Sequence, residues 1–320
     1  MKRLITFALA LVCSMGSVLL AQEKSPYVVT LEHEGNLQTF YGPTGFQEAY
    51  NAAVDGDIIT LPPLNFENLE TDSDGYRTTI RKAITIRGTR NNEGGQTSIW
   101  GSTQFILPQT KAGTINIEGI IFNNVTVNTE KLNLLHCTIT EDIHFNANAT
   151  AINCILRIGS AYDSAPQIVN SVIEDMSASN VTGGAMFLNC NFTQVRDPYN
   201  MANAIFSNCI ITNSTHHFLS SVTVLNSVCY PENYFDAIPD TNGNLNNKVF
   251  DPGTFFIPNS FWQLTEEAKA TYLGDDGTEV GIYGGLYPYN DVLSTPTITN
   301  LNVSKRVAQG ETLKIDVEAE

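Results

Sequence analysis

An arginine and a glutamate come closest, by type and spacing, to a pair that does acid–base chemistry. Arg157 and Glu174 lie 17 residues apart, and each stands four residues after an asparagine of a short repeat, Asn153 or Asn170. Proton abstraction from a sugar acid needs a base beside carboxylates, and glycoside hydrolysis needs paired carboxylates. No further acidic residue stands four residues after an asparagine or histidine of the repeat. We therefore interpret Arg157 and Glu174 as a surface ion pair between neighbouring strands, with catalysis as the alternative.

Other charged residues follow the repeats at differing offsets. They are Asp142, His144, Asp163, Asp175, Arg196, Asp197, His216 and His217. Because their offsets differ from one repeat to the next, we expect these side chains to be solvated turn residues that do not converge on one site. The sequence predicts no catalytic residue beyond the weighed pair and no organic cofactor.

Oxygen-bearing residues at alternate positions form a candidate calcium loop. The candidate ligands are Asp240, Asn242, Asn244 and Asp251. However, Leu245 stands where such a loop needs glycine for its turn, and Lys248 falls at a ligand position. We favour a polar turn here, with calcium as the alternative.

A repeat of seven short copies must position these side chains. Each copy has two apolar-leaning residues, then Asn or His, then a small residue. The Asn or His positions are Asn123, His136, Asn153, Asn170, Asn189, Asn208 and Asn226. Steps of 13 to 19 residues are too short for helical repeats, and the alternation of apolar residues changes phase at each Asn. We predict a coil of short strands in which Asn makes the bend, since it tolerates left-handed backbone, and bonds to the next amide in a ladder. His136 is interpreted as a ladder member rather than a metal ligand.

The residue after each bend is small in every copy. These residues are Asn124, Cys137, Cys154, Ser171, Cys190, Cys209 and Ser227. A position that accepts Cys, Ser and Asn indicates a small side chain in the core rather than redox chemistry. Bridges between neighbouring coils, Cys137 with Cys154 or Cys190 with Cys209, are the alternative, because strands roughly 4.8 Å apart are within disulfide reach.

The N-terminal part of the coil has a specific order of elements. Residues 45–53 have helical spacing, and they are followed by Asp55-Gly56-Asp57, a short strand, Pro62-Pro63 and later Ile84-Thr85-Ile86-Arg87-Gly88. This order resembles the entry of right-handed parallel β-helix proteins of the pectin-lyase-like superfamily. The resemblance implies that the helix caps the open end of the coil and blocks edge-to-edge association.

The C-terminal part resembles the same group. The ending Gly281-Ile282-Tyr283-Gly284-Gly285, after an aromatic-rich stretch, is similar to the C-terminal closure of exported bacterial members. The resemblance covers about residues 40 to 290 and implies an all-β, right-handed parallel β-helix. It does not imply an activity, because this fold hosts lyases, hydrolases, esterases and adhesins. Arg196-Asp197-Pro198 resembles part of a pectate-lyase-like motif, but the second arginine of that motif is missing.

The first residues are typical of a leader. Residues 1–21 place Lys2 and Arg3 before an apolar stretch and end on Ala21, as a secretory signal peptide does. A lipoprotein anchor at Cys13 is the alternative. We expect export to the extracellular space, the cell surface or the periplasm of a Gram-negative bacterium. Asp163-Ser164-Ala165 resembles a bacterial O-glycosylation sequon, and we expect it in an exposed turn.

The rest of the chain divides at residue 290. Residues 22–290 are predicted to form the β-helix domain, and residues 291–320 a short β appendage or the start of a truncated second domain. Loss of the leader lowers the formal net charge from −16 to about −18. Such an acidic surface disfavours nucleic acid and anionic membranes as partners. No stretch after residue 21 is apolar enough to span a membrane, and we expect a monomer.

Three functions remain compatible with the sequence. We favour a secreted or surface protein without enzymatic activity that binds a glycan or an extracellular protein along its outer face. Outward-facing apolar residues, including Ile155, Val172 and Ile210, support a contact surface unless the C-terminal part covers them. A polysaccharide lyase or glycoside hydrolase with a non-standard site is the second hypothesis, and a structural spacer is the third.

Overall fold

The computed structural model describes residues 27–67, 69, 77–89, 95–230, 234–238, 250–290, 298–303 and 315–319. Most regular structure in these residues is β-strand, arranged in two large sheets and one separate pair of strands. The predicted leader lies outside the described residues. Within the part of the chain that the structure describes, no helix has the length and apolar character needed to cross a membrane.

The first sheet has eleven strands, and all of its strand pairs are parallel except the two pairs at one edge. In spatial order they are β2 (Asn36–Tyr41), β1 (Val28–His33), β3 (Ile58–Thr60), β6 (Thr85–Arg87), β8 (Ile115–Glu118), β10 (Leu132–Leu135), β13 (Thr150–Ile152), β15 (Gln167–Val169), β17 (Met186–Leu188), β20 (Ile205–Ser207) and β22 (Thr223–Leu225). The sheet forms one wall of a long coil.

The second sheet has twelve strands and forms the facing wall. They are β4 (Asn65–Phe66), β5 (Arg77–Ile80), β7 (Thr97–Phe105), β9 (Ile120–Val127), β11 (Thr138–Ile139), β12 (Ile143–Phe145), β14 (Ile155–Ser160), β16 (Val172–Ser177), β18 (Asn191–Phe192), β19 (Val195–Arg196), β21 (Ile210–Ile211) and β23 (Val228–Cys229). Short 3-10 helices, Ala178–Asn180 and Pro198–Asn200, follow β16 and β19.

Successive turns of the coil stack residue against equivalent residue. In the first sheet Ala151 pairs with Leu134 on one side and with Ile168 on the other. All three side chains are fully buried in the main core. Parallel partners that lie 17 to 19 residues apart in the chain define a parallel β-helix. The predicted fold class is therefore confirmed.

The bends between the two sheets lie at the Asn or His of the repeat. Backbone φ there is 45° to 56° at six positions: His136, Asn153, Asn170, Asn189, Asn208 and Asn226. The first copy of the predicted repeat is wrong, because Asn123 lies inside β9, where Ile121 pairs with Thr138. The equivalent bend residue is Gly119, with φ of 67°. Glycine adopts this conformation without a Cβ clash, so the sequence marker changes there while the bend persists.

The small residues after the bends form a buried column that also carries hydrogen bonds. The backbone N–H of Cys154 donates to Oγ of Ser171 on the next turn at 3.0 Å, and Cys209 donates to Ser227 in the same way. Each hydroxyl donates in turn to a carbonyl two residues earlier in its own turn. The column therefore satisfies buried polar backbone as well as filling space. The five cysteines of the described chain are all free and buried, so bridges between coils do not form.

Helix α1 (Gly45–Ala52) packs on the N-terminal turn of the coil, as the sequence predicts. Its buried residues Phe46, Ala49 and Tyr50 join the main core. The Tyr50 hydroxyl accepts a hydrogen bond from the backbone of Arg81 at 2.8 Å. The hairpin of β1 and β2 was not predicted. It pairs antiparallel with β3 and extends the edge of the first sheet.

The last turn of the coil is covered by residues 234–238. Phe235 lies 5.4 Å from Phe218 between ring centres, and the Phe218 N–H donates to the Tyr234 carbonyl at 2.8 Å. Residues 250–272, which we call the aromatic segment, pack on the side of the coil instead. They include α2 (Pro252–Phe255) and α3 (Glu266–Thr271). The segment also meets the last turn, where the Phe250 N–H donates to the Cys229 carbonyl at 3.4 Å. The predicted aromatic closure therefore covers the side of the coil as well as its last turn.

The appendage contains two strands, β24 (Ile298–Val303) and β25 (Ile315–Ala319). They pair antiparallel with each other in a sheet of their own, as a hairpin does. The boundary at residue 290 and the beginning of a second domain stay predictions.

Candidate functional site

A column of outward-facing apolar residues on the second sheet is covered by the C-terminal end of the described coil domain. Residues 274–289, which we call the C-terminal segment, run along the outside of the coil. Val172 packs with Ile282 and Tyr289, and Ile155 lies beside them. Ile210 is fully buried against the aromatic segment. The interpretation of these residues as a free contact surface is therefore wrong, and their alternative role under the C-terminal part is confirmed.

The bend asparagines hold the C-terminal segment in place. Nδ2 of Asn170 donates to the carbonyl oxygens of Ile282 and Gly284, at 2.8 and 2.6 Å. Asn208 donates to the Asp275 carboxylate at 2.9 Å and accepts from the Asp275 N–H at 3.2 Å. At these turns the amides bind the segment rather than one another, so the predicted amide-to-amide ladder is wrong there. The repeat therefore provides a row of asparagine side chains that bind the C-terminal segment, and we call these side chains the anchors.

Glycines allow the C-terminal segment to approach these anchors. A Cβ at Gly285 would lie 2.7 Å from Oδ1 of Asn189, and one at Gly274 would lie 2.6 Å from Cγ of Asn208. Gly285 also has φ of +74°. Close approach and left-handed backbone both require glycine, which explains the glycine-rich ending that the sequence shows.

Beside the covered column, the second sheet keeps a row of side chains open to solvent. We call this row the outer strip. Strand register places its members in line on six successive turns: Trp100, Asn123, Thr140, Arg157, Asp175 and Gln194. Each of them is exposed or partly exposed.

Arg157 meets Asp175 rather than Glu174. The register between β14 and β16 shifts by one residue after Leu156, so that Arg157 stands opposite Asp175. Nη2 of Arg157 lies 3.2 Å from Oδ2 of Asp175, and Nε of Arg196 lies 2.8 Å from Oδ1 of the same carboxylate. Glu174 is exposed beside this cluster. The predicted Arg157–Glu174 pair is replaced by an arginine, aspartate and arginine cluster.

This cluster lines an open depression of about 450 Å³, together with Glu174, Gln194 and Thr215. Asp175 and Arg196 both belong to it, so the expectation that the charges after the repeats stay apart is wrong for these two residues. Both oxygens of the Asp175 carboxylate are engaged by guanidinium groups, which leaves neither as a ready base. Hydrolysis needs two carboxyl groups at a set separation. The arrangement matches an ion-pair network on a partly exposed surface.

The histidines among the charged turn residues make short-range polar contacts. Nδ1 of His144 lies 2.9 Å from Oγ of Ser160. His217 lies 2.8 Å from Asp236, and this hydrogen bond lowers the pKa of the Asp236 carboxyl. Ser164 of the sequon-like triplet is buried and donates to the Phe145 carbonyl at 2.8 Å, so its predicted exposure is wrong.

Of the four candidate calcium ligands, Asp251 is among the described residues. Asp240, Asn242 and Asn244 lie outside the described residues. Asp251 is described and exposed, and its Oδ1 accepts from the Gly253 N–H at 3.0 Å. Across the described ranges, no group of three or more His, Cys, Asp or Glu side chains is placed to hold a metal ion. Calcium at this loop stays a prediction.

Trp100 is the most distinctive member of the outer strip, and the sequence reasoning missed it. It is 56% exposed, although tryptophan normally buries most of its surface. The register between β7 and β9 shifts between Ile99 and Ser102, and Gly101 has φ of 84°. These features define a β-bulge, which turns a side chain out of the sheet. The available signal was the Trp-Gly pair inside an otherwise alternating strand.

Trp100 lines two cavities, and Asn65 lines both of them as well. One has a volume of about 450 Å³ and is lined by Tyr27, Pro43, Asn65, Phe66, Glu67 and Trp100. The other has a volume of about 310 Å³ and is lined by Asn65, Gln96, Ser98, Trp100, Ile121, Asn123 and Thr140. The indole is shared by two recesses whose other walls are mainly amides, hydroxyls and apolar groups.

Comparison with known proteins adds little to this geometry. No family model matches the chain, and no curated protein matches it. A solved structure of a PL6 alginate lyase in complex with a trisaccharide is similar, with 12% identity and a TM-score of 0.30. The match covers 58% of this chain and 51% of that structure, so the chain spans about half the length of the protein it matches. At this TM-score the likeness carries no argument, and the fold assignment rests on the strand pairing.

Proposed function

We propose that this protein is an exported β-helix protein that binds a glycan along the outer strip and does not turn it over. The observation that carries the proposal is Trp100, held in solvent on a bulge between two cavities with amide and hydroxyl walls. Ligand sites combine an aromatic or apolar surface with a few polar groups that fix orientation. On the second sheet, the outer strip stays open where the neighbouring column is covered.

The charged residues of the outer strip support binding without turnover. Its best acid–base candidates are Arg157, Asp175 and Arg196, and they are engaged with one another. Glu174 is a single exposed carboxylate beside two guanidinium groups. A polysaccharide lyase or glycoside hydrolase is the second hypothesis. A structural spacer or a protein-binding surface is the third hypothesis.

Export and family membership belong to the same proposal. The apolar leader of residues 1–21 and the acidic composition support an extracellular, surface or periplasmic protein of a Gram-negative bacterium. The entry and ending motifs of the coil support membership of the pectin-lyase-like superfamily. Mass spectrometry of the protein recovered from the periplasm or medium tests cleavage after Ala21 against an anchor at Cys13.

One experiment separates the functional alternatives. The chain without its leader is incubated with neutral and acidic polysaccharides, with and without calcium. Release of unsaturated or reducing ends is measured beside binding in affinity gel electrophoresis. Binding without new chain ends supports the proposal, while chain cleavage would establish an enzyme. If neither binding nor new chain ends are detected, a structural spacer or a protein that binds another protein is favoured.

A further inference from the structure

We infer that Trp100 is the platform of a subsite for a neutral glycan, an inference that rests on the proposed glycan binding and adds its location and ligand class. The site lies at the N-terminal part of the outer strip. It is distinct from the charged cluster around Asp175, which begins three turns further along the coil. Neighbouring strands stack at roughly 4.8 Å per turn, so the Trp100 subsite and the charged cluster are separate surfaces on one face of the coil.

The bulge presents the indole in a fixed position. Ile99 on one side of Trp100 is buried and pairs with Phe122, and pairing with β9 resumes at Ser102. The backbone is therefore held on both sides of the exposed ring. A ring that is held in advance costs little entropy to use, which favours affinity. Surrounding turns supply the remaining walls, so the subsite is built from the stacking of the coil rather than from one loop.

The chemistry of the walls fits uncharged hydroxyl groups. Among the described residues that line the smaller cavity, the polar side chains are amides and hydroxyls: Asn65, Gln96, Ser98, Asn123 and Thr140. Amides donate and accept hydrogen bonds, as sugar hydroxyls do. The exposed face of tryptophan offers an apolar surface for the C–H face of a sugar ring, with an N–H at its edge.

The charges around the subsite argue against an acidic glycan. Carboxylates are bound by arginine or lysine in charge-assisted hydrogen bonds, and the described walls of both cavities contain neither. The charged wall residue among them is Glu67, which repels an anion. The chain as a whole carries a formal net charge of −16, which also opposes the approach of a polyanion.

The test compares Trp100→Ala with Tyr162→Ala. Tyr162 is a matched control because it is 53% exposed and does not belong to the described walls of either cavity. Binding to laminarin, xyloglucan and galactomannan as neutral probes, and to alginate and polygalacturonate as acidic probes, is measured by affinity electrophoresis and titration calorimetry. Circular dichroism melting confirms that each variant is folded.

We expect wild type to bind at least one neutral probe, and Trp100→Ala to weaken that binding about tenfold or more. Tyr162→Ala leaves it unchanged, and added salt has little effect because no charges are paired. If Trp100→Ala binds the neutral probes as tightly as wild type, the subsite is overturned. It is also overturned if wild type binds the acidic probes alone. In both cases the proposed glycan binding stands. If no probe binds to wild type, the proposed function itself fails.

Discussion

The side-chain nitrogen of Asn170 lies 2.6 Å from the carbonyl oxygen of Gly284, although 114 residues separate them in the chain. The same asparagine makes the bend of its own turn, with φ of 45°. One residue therefore serves both the local backbone and the docking of the C-terminal segment. The two contributions are separable, because glycine preserves the first and removes the second.

Two replacements of Asn170 are expected to destabilise the fold by different amounts. Asn170→Gly keeps the bend but leaves two segment carbonyls without their donor, at a cost of about 1–3 kcal/mol. Asn170→Ala adds about 1–2 kcal/mol, because an L-residue with a Cβ is strained at positive φ. Urea denaturation measures both. Asn203→Gly is the control, since Asn203 also has positive φ but is exposed. Equal stability of the Asn170→Gly and Asn203→Gly variants would contradict anchoring.

Replacement of Ser171 tests the hydrogen bonds of the buried column. Ser171→Ala removes the acceptor for the buried Cys154 N–H, and we expect a loss of about 1–3 kcal/mol in the free energy of unfolding. Ser171→Cys should cost less, because the equivalent position on a neighbouring turn is Cys154, whose sulfur accepts from Cys137 at 3.4 Å. Chemical denaturation compares the two variants. If alanine is tolerated as well as cysteine, the column is merely a space filler.

The cysteines are expected to be inert in the folded protein. Burial raises the pKa of the Cys229 thiol to about 11 and that of Cys190 well above its ordinary value. Thiolate, the reactive form, is then scarce at mildly alkaline pH. Iodoacetamide should leave Cys137, Cys154, Cys190, Cys209 and Cys229 unlabelled until denaturant is added, as followed by mass spectrometry. Rapid labelling of native protein would show that the coil opens.

The register between β14 and β16 illustrates a part of the site that the sequence reading missed. Counting four residues from each bend pairs Arg157 with Glu174, but the extra residue in β16 moves the partner to Asp175. This bulge depends on contacts with the strands on both sides, and no local pattern around Glu174 marks it. Trp100 was missed because its exposure depends on a second bulge, for which the Trp-Gly pair is the local signal.

This register predicts that two neighbouring acids respond differently to neutralisation. Asp175→Asn breaks the contacts to Arg157 and Arg196 and should lower the free energy of unfolding by about 1 kcal/mol, an effect that shrinks as salt screens the pairs. Glu174→Gln, the matched control, should have almost no effect. Thermal melts at low and high ionic strength measure both. A larger effect at Glu174 would restore the pairing expected from the sequence.

Glu279 of the C-terminal segment predicts a pH dependence. Burial raises the pKa of its carboxyl, opposed by Lys269 and aided by Glu266. The folded protein thus holds this proton more tightly than the unfolded chain, so the carboxyl costs stability once the pH rises above the ordinary glutamate pKa. We expect Glu279→Gln to stabilise the protein at neutral pH and to make no difference in acid. Unfolding measured across pH, with Glu267→Gln as the exposed control, checks the sign.

Local chemistry in the sequence determined the coil of this protein. The repeat length, the left-handed bends at Asn, the small core residues after them and the capping helix all depend on neighbours a few residues away, and each of these was predicted. The tertiary structure alone decided which outward face is free. The C-terminal segment docks on anchors about a hundred residues earlier, and two bulges shift the register, because both depend on packing between distant parts of the chain. Those long-range contacts leave Trp100 and the outer strip open to solvent.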